Sequence, residues 1–144
     1  MKNKKYSLKI LFFFILLLQF NNVLSDEFKL EAATIETLDK GNLIKGFGGV
    51  VINDNTGLTL MGEKFQYNKL KSLLVVEDNV LISDKLIKNL IKANKITFNK
   101  QLNIINIPDK AVIELDGGHS VEGSNITYDR NLNSIFLSFH RYHF

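Results

Sequence analysis

The side chains best suited to chemistry are few, and their spacing is poor for it. His119, His140 and His143 are the histidines, and there is no cysteine. A metal site needs three or four N, S or O donors brought together. His140 and His143 sit close in sequence without a third ligand at useful spacing. Glu114 and Asp116 lie near His119 and could serve as an acid–base set, but Asp116-Gly117-Gly118 reads as a turn. Gly46-Phe47-Gly48-Gly49 is glycine-rich, yet no helix follows it to supply the amide cradle of a phosphate loop. No Ser/His/Asp order, Walker loop or pair of catalytic acids is present. Lys64, Lys69, Lys95 and Lys100 could meet phosphates, although a solvated face explains them more simply. The residues therefore predict no enzyme activity, no cofactor and no metal.

What does recur is a pattern of plain residue types. Gly62-Glu63-Lys64-Phe65-Gln66-Tyr67-Asn68-Lys69 returns as Ala93-Asn94-Lys95-Ile96-Thr97-Phe98-Asn99-Lys100, and again as Gly123-Ser124-Asn125-Ile126-Thr127-Tyr128-Asp129-Arg130. A worn copy lies upstream at Ala32-Ala33-Thr34-Ile35-Glu36-Thr37. The period is about 30 residues, which is the mark of one supersecondary unit stacked on copies of itself.

The elements that carry this pattern read as strands. Leu58 and Leu60 alternate on one parity, Phe65 and Tyr67 on the other. A register slip at Gly62-Glu63-Lys64 follows, as at a β-bulge. Asn53-Asp54-Asn55-Thr56-Gly57 is hairpin chemistry, and Glu77-Asp78-Asn79 reads as a further turn. Residues 86–95 are ambiguous. Leu86, Ile87, Leu90 and Ile91 have helical spacing, with Ser83 or Asp84 available as a cap. The repeat favours strand there, because Ile91-Lys92-Ala93 falls where Leu60-Met61-Gly62 falls. The sum is an all-β chain of ten or more short strands. Its expected inward face is Val50, Ile52, Phe65, Tyr67, Leu74, Val76, Val80, Ile82, Ile96, Phe98, Ile105, Ile107, Ile113, Leu115, Ile126, Tyr128 and Ile135.

The net charge of +3 is set by the N-terminus. Lys2, Lys4, Lys5 and Lys9 precede the apolar run from Ile10 to Leu18, and Val23-Leu24-Ser25 follows. This is the layout of a secretory signal peptide over residues 1–25, with an uncleaved anchor as the alternative. Removing those four lysines from 18 basic residues leaves 14 against 15 acids, or about −1. Nucleic acid is therefore not an expected partner. Secretion without cysteine argues against a disulfide-stapled scaffold, and the Lys/Asn/Ile-rich usage with the signal-peptide pattern suits a bacterial envelope protein.

With these motifs in place, the chain resembles the OstA-like family of lipopolysaccharide transport, which includes the bridge protein LptA and the N-terminal periplasmic domain of LptD. The resemblance rests on Phe65-Gln66-Tyr67-Asn68-Lys69, on Asn79-Val80-Leu81-Ile82, and on Glu63-Lys64 and Asn94-Lys95. It runs from about Glu27 to Leu137. It implies a β-jellyroll of short antiparallel strands over residues 26–138, with residues 139–144 as a tail outside the pattern. It implies a periplasmic carrier of lipopolysaccharide, associated with the outer membrane, that holds acyl chains in an apolar trough. The trough candidates are Val50, Ile52, Phe65, Tyr67, Val80, Ile82, Ile96, Phe98, Ile113, Ile126 and Tyr128. Other bridge components would pair at the sheet edges, and self-association would use the same edges. Read without the resemblance, the same side chains fill a closed sandwich core. Tyr142 and Phe144 suggest a small outer-membrane β-barrel as an alternative, and a secreted β-solenoid binding module is another.

Overall fold

The computed structural model describes residues 28–137, so the expected signal peptide and the tail at residues 139–144 lie outside it. Eleven strands form one antiparallel sheet. Two short strands, β1 (Lys29–Glu31) and β2 (Thr34–Leu38), both pair with β3 (Leu43–Asn53), one against each of its ends. Long strands follow in order: β4 (Leu58–Asn68), β5 (Leu73–Asp84) and β6 (Leu90–Asn99). Then come β7 (Ile104–Ile107), β8 (Ala111–Glu114), β9 (Ser120–Gly123), β10 (Ile126–Asp129) and β11 (Ser134–Leu137).

The long strands are where the sequence repeat becomes architecture. Pairing slips between Phe47 and Val50 in β3, between Met61 and Lys64 in β4, and between Glu77 and Val80 in β5. These bulges lie side by side and make a fold line across the sheet. A bulge bends its strand and increases the twist, so a row of bulges folds the sheet on itself. Gly48 and Gly49 take φ of 80° and 77° there, and Asp78 and Asn79 take 64° and 54°. Glycine, Asn and Asp tolerate that region best. Gly62 is needed for a different reason. A Cβ on it would meet Val76 Cγ1 at 2.7 Å and the Glu77 carbonyl oxygen at 3.2 Å.

The fold line divides the sheet into two leaves. The upper leaf holds β2, residues 43–47, 64–68, 73–77 and 95–99, and then β7, β10 and β11. The lower leaf holds β1, residues 50–53, 58–61, 80–84 and 90–93, and then β8 and β9. β7 with β8, and β9 with β10, are further bent pairs whose ladder breaks at the fold line. Pro108, which lacks an N–H, falls at the first break, and the Asn125 N–H donates to its carbonyl at 3.2 Å. The all-β jellyroll of antiparallel strands is as expected.

The outer rim of the upper leaf is a row of hairpins joined hand over hand. The Lys69 N–H donates to the Asn42 carbonyl, Lys100 to Ser72, and Arg130 to Asn103, at 2.8, 2.9 and 3.2 Å. Each is the basic residue that ends a copy of the repeat.

Three sequence expectations change. Glu77-Asp78-Asn79 is no turn but the bulge inside β5, because the flanking ladders on β4 and β6 continue past it. Residues 86–95 divide: the strand starts at Leu90, and the residues before it form the connection from β5. Asp84 does act as a cap, accepting the Leu86 N–H at 3.0 Å, but it closes a turn. Leu115, expected inward, is 36 % exposed because β8 ends at Glu114. Ile135 is half-buried and packs on the core from the edge. The other fifteen expected inward residues are buried, joined by Phe28, Leu58, Leu60, Ile91 and Ala111.

Candidate functional site: the interior and its mouth

Inward side chains from both leaves form one apolar cluster. All eleven trough candidates lie in it. Ile82, Ile96 and Tyr128 are 0 % exposed, Ile126, Ile52 and Phe98 1 %, Val50 and Val80 2 %, and Phe65 and Ile113 3 %. Tyr67 is the most exposed of them at 6 %. Their alternation explains the grouping: β4 buries Leu58 and Leu60 before the bulge, and Phe65 and Tyr67 after it. The register shift at Gly62-Glu63 lets both pairs point inward although their parity differs. The inward side chains of the two leaves are buried against one another in this one cluster.

Opposite the fold line the free ends of the two leaves come together, and here the interior turns polar. Arg130 is 3 % exposed and comes from the upper leaf. Its Nε donates to Asp84 Oδ2 at 2.6 Å, and its Nη1 to Asp54 Oδ2 at 2.9 Å. Nη1 also donates to Asn103 Oδ1 at 2.9 Å, and Nη2 to Thr56 Oγ1 at 2.7 Å. The Tyr128 hydroxyl donates to the same Asp84 oxygen at 2.9 Å. Asp84, Asp54 and Thr56 belong to the lower leaf or its hairpin, so four of these five bonds tie one leaf to the other. A buried charge is tolerated only when it is paired and hydrogen-bonded. Among the described residues no buried side-chain nitrogen or oxygen lacks a partner.

The electrostatics follow the burial. Burial pushes the Tyr128 hydroxyl well above the usual phenol range, and its bond to Asp84 adds to that. Burial pulls Arg130 down, but Asp84 and Asp54 outweigh it and the guanidinium is held more firmly charged. For Asp54, burial works upward. It is overcome by hydrogen bonds from Thr56 and Leu58 and by the Arg130 charge, so its pKa falls below the ordinary 3.8.

A pocket of about 250 Å³ opens beside this cluster, lined by Phe28, Asp54, Thr56, Phe98, Lys100, Asn103 and Arg130. Phe28 stands across it. Its ring meets Tyr67 edge-on at 5.1 Å and Phe98 at 5.6 Å, and Lys100 Nζ lies 4.9 Å from its centroid. Sequence reasoning missed Phe28 and the Arg130 cluster. Arg130 had the same place in its repeat as Lys69 and Lys100, and nothing local marks it as buried.

The other polar candidates have structural placements. Glu114 pairs with Lys92 at 2.6 Å on the outer face, and Asp116 stands 3.8 Å from Lys88. They do not converge on the His119 side chain to hold a metal, and His140 and His143 lie outside the described residues. Gly46, Gly48 and Gly49 belong to β3. Lys64 meets Asp78 at 3.1 Å and Glu77 at 3.7 Å, and Lys95 meets Glu77 at 2.8 Å. These last pairs form a ladder over the fold line, away from the mouth.

Among the described residues the sheet edges are β1 and β2 on one side, and β9 and β11 on the other. Each edge carries exposed apolar residues: Ile35 and Leu38 on β2, Val121 on β9 and Phe136 on β11.

No protein-family model matches the sequence, and no curated protein matches it. Among solved structures, the chain is similar to LptH of Pseudomonas aeruginosa, described as the LptA-homologous periplasmic component of the conserved lipopolysaccharide transport device. The match covers 78 % of this chain and 82 % of that one, with a TM-score of 0.66 and 19 % identity. The bent, two-leaved sheet is the fold that this chain shares with LptH.

Proposed function

We propose that this chain is a periplasmic, non-enzymatic carrier of lipopolysaccharide that shelters acyl chains between its two leaves. The observation that carries the proposal is the LptH-like fold enclosing an interior contributed by both leaves and built almost wholly from apolar side chains. Burying acyl chains is favourable by ~0.8 kcal/mol per CH₂, so such an interior needs no catalytic group to hold a multi-chain lipid. The residues that would meet the lipid are the eleven inward candidates, with the aromatic Phe65, Tyr67, Phe98 and Tyr128 offering the largest surfaces.

The edges supply the second part of the reading. An edge strand presents unpaired backbone groups that invite another strand, and strand addition is a general mode of recognition. We assign docking of other transport components, or of a second copy, to β2 on one side and β11 on the other. The signal-peptide pattern supports a periplasmic location for the mature chain. A free-standing bridge protein and an N-terminal part of an LptD-like protein both accommodate this reading. A small outer-membrane barrel is less favoured, because the Lys64–Glu77–Lys95 ladder stands on the outward face, where a barrel meets lipid.

The test is photo-crosslinking to lipopolysaccharide from probes at Phe65, Phe98 and Tyr128, with the outward Lys71 as control. Adducts at the three inward positions and none at Lys71 are expected. A folded, monodisperse protein that gives no adduct at any of them would sink the carrier reading and leave a closed sandwich that works through its edges.

A further inference from the structure

Resting on the carrier reading, we propose that Arg130 is a clasp that holds the mouth shut, and that lipid enters the interior where this clasp lets go. The inward side chains of the two leaves are buried against one another in one cluster, so an acyl chain that takes their place needs the leaves to part. Along the fold line they cannot part, because β3, β4, β5 and β6 each run unbroken from one leaf to the other. On the opposite side one guanidinium and one carboxylate gather several polar ties between the leaves. Arg130 reaches Asp84, Asp54 and Thr56, and Tyr128 reaches Asp84.

The chemistry of these ties suits a closure that must open. Apolar side chains that separate into water lose their stabilisation outright, since water offers them no substitute. A hydrogen-bonded ion pair instead exchanges its partners for water as it separates. Water already has a path, since the pocket of about 250 Å³ reaches Arg130, Asp54 and Thr56. The same pocket is walled by Phe28 and Phe98, so it offers an apolar surface to the first carbons of a chain beside the parting ion pair. Phe28 adds a second closure. It precedes β1 of the lower leaf, yet its ring packs edge-on against Tyr67 and at a tilt against Phe98 of the upper leaf. Arg130 is thus a positioning residue: it sets the spacing of the leaves, while the lipid meets the apolar wall.

The test measures the mouth directly. The chain has no cysteine, so Lys85→Cys on the lower rim and Leu102→Cys on the upper rim give a specific spin-labelled pair. Without lipid, the native clasp should give one narrow distance distribution. Arg130→Gln should broaden it towards longer distances, and Asp54→Asn, which leaves Asp84 in place, should do so to a smaller extent. Lipopolysaccharide added to the native protein should move its distribution towards that of Arg130→Gln. Uptake by Arg130→Gln should be about tenfold faster or more, the factor expected when one charged hydrogen bond is lost from the closed state.

Folded variants with an unchanged distribution and unchanged uptake would overturn the clasp, even if they melt at lower temperature, because Arg130 would then be a brace only. Lipid crosslinked at Phe98 in a native protein whose mouth distance does not change would overturn it too. If Arg130→Gln fails to fold, Asp54→Asn decides by the same two readouts. Absence of lipid binding in every variant would sink the carrier reading, and the lipid-free distances would still show whether Arg130 holds the leaves together.

Discussion

The two long sides of this molecule are closed by opposite means. At the fold line, closure is covalent: strands cross from leaf to leaf, and each register shift places one extra residue on one strand of the pair to turn the corner. At the mouth, closure is made by side chains from residues as much as 76 positions apart, with Arg130 and Asp54 the most distant pair. The first is rigid because bending it further would break ladders on both neighbours. The second is reversible because water can replace each of its polar bonds, so that only the Phe28 ring contacts are lost without a substitute. A two-leaved sheet with one side of each kind works as a hinge, with the moving side identifiable from bonding alone.

Substitutions on the two sides should separate these roles. The largest effect is expected at the mouth side of the core. Phe98→Asp places a carboxylate at a site 1 % exposed, and a loss of about 4 kcal/mol or more should leave the protein unfolded by circular dichroism. Arg130→Gln comes next. Removing one partner of a buried pair costs about 3–5 kcal/mol, visible as a lower urea midpoint. A loss below about 1 kcal/mol would mean that the mouth is held by packing instead. At the fold line, Gly62→Val drives a side chain into Val76 and the Glu77 carbonyl, with a cost of about 1–3 kcal/mol. That variant should leave the mouth distances as they are, and a wider mouth would show that the two sides are not independent. Lys95→Ala should matter least. Its pair with Glu77 stands at the surface, with side chains 42 % and 33 % exposed, and about 0–1 kcal/mol is the usual worth of such a pair.

Acid sharpens the same contrast. Asp54 has a folded pKa below its ordinary 3.8, so its contribution is present above that value and is lost as pH falls through the depressed one. Titration from pH 5 downward should therefore loosen the mouth before native ladders melt, read as broadening of the mouth distances while the β-sheet circular dichroism signal persists.

The fold line was legible in the sequence at Gly62, though not at Glu77-Asp78-Asn79, which read as a turn, and the mouth was not legible at all, for a physical reason. A bulge leaves a local trace: Leu58 and Leu60 share one parity, Phe65 and Tyr67 the other, and a small residue sits between them. The period of the repeat then multiplies that trace. The mouth depends on Arg130 meeting Asp84, 46 residues earlier, and its chemistry is hidden inside a position that elsewhere holds Lys69 and Lys100. Residues 86–89 misled for a related reason. Asp84 presents the signature of a helix cap, and the backbone does use it to turn, but the strand ladder from β5 claims the chain again at Leu90. Leu115 kept the alternation of β8 one residue past the last pairing.

The hand-over along the rim has a consequence for how such a chain can change length. Asn42, Ser72 and Asn103 receive the amides of Lys69, Lys100 and Arg130, so receivers and donors each advance by one repeat at a time. Inserting a whole repeat adds one more donor and one more receiver and keeps every older bond in phase. Inserting part of a repeat puts a donor out of phase with its receiver. The molecule is in this sense counted in units, and its reach is set by an integer.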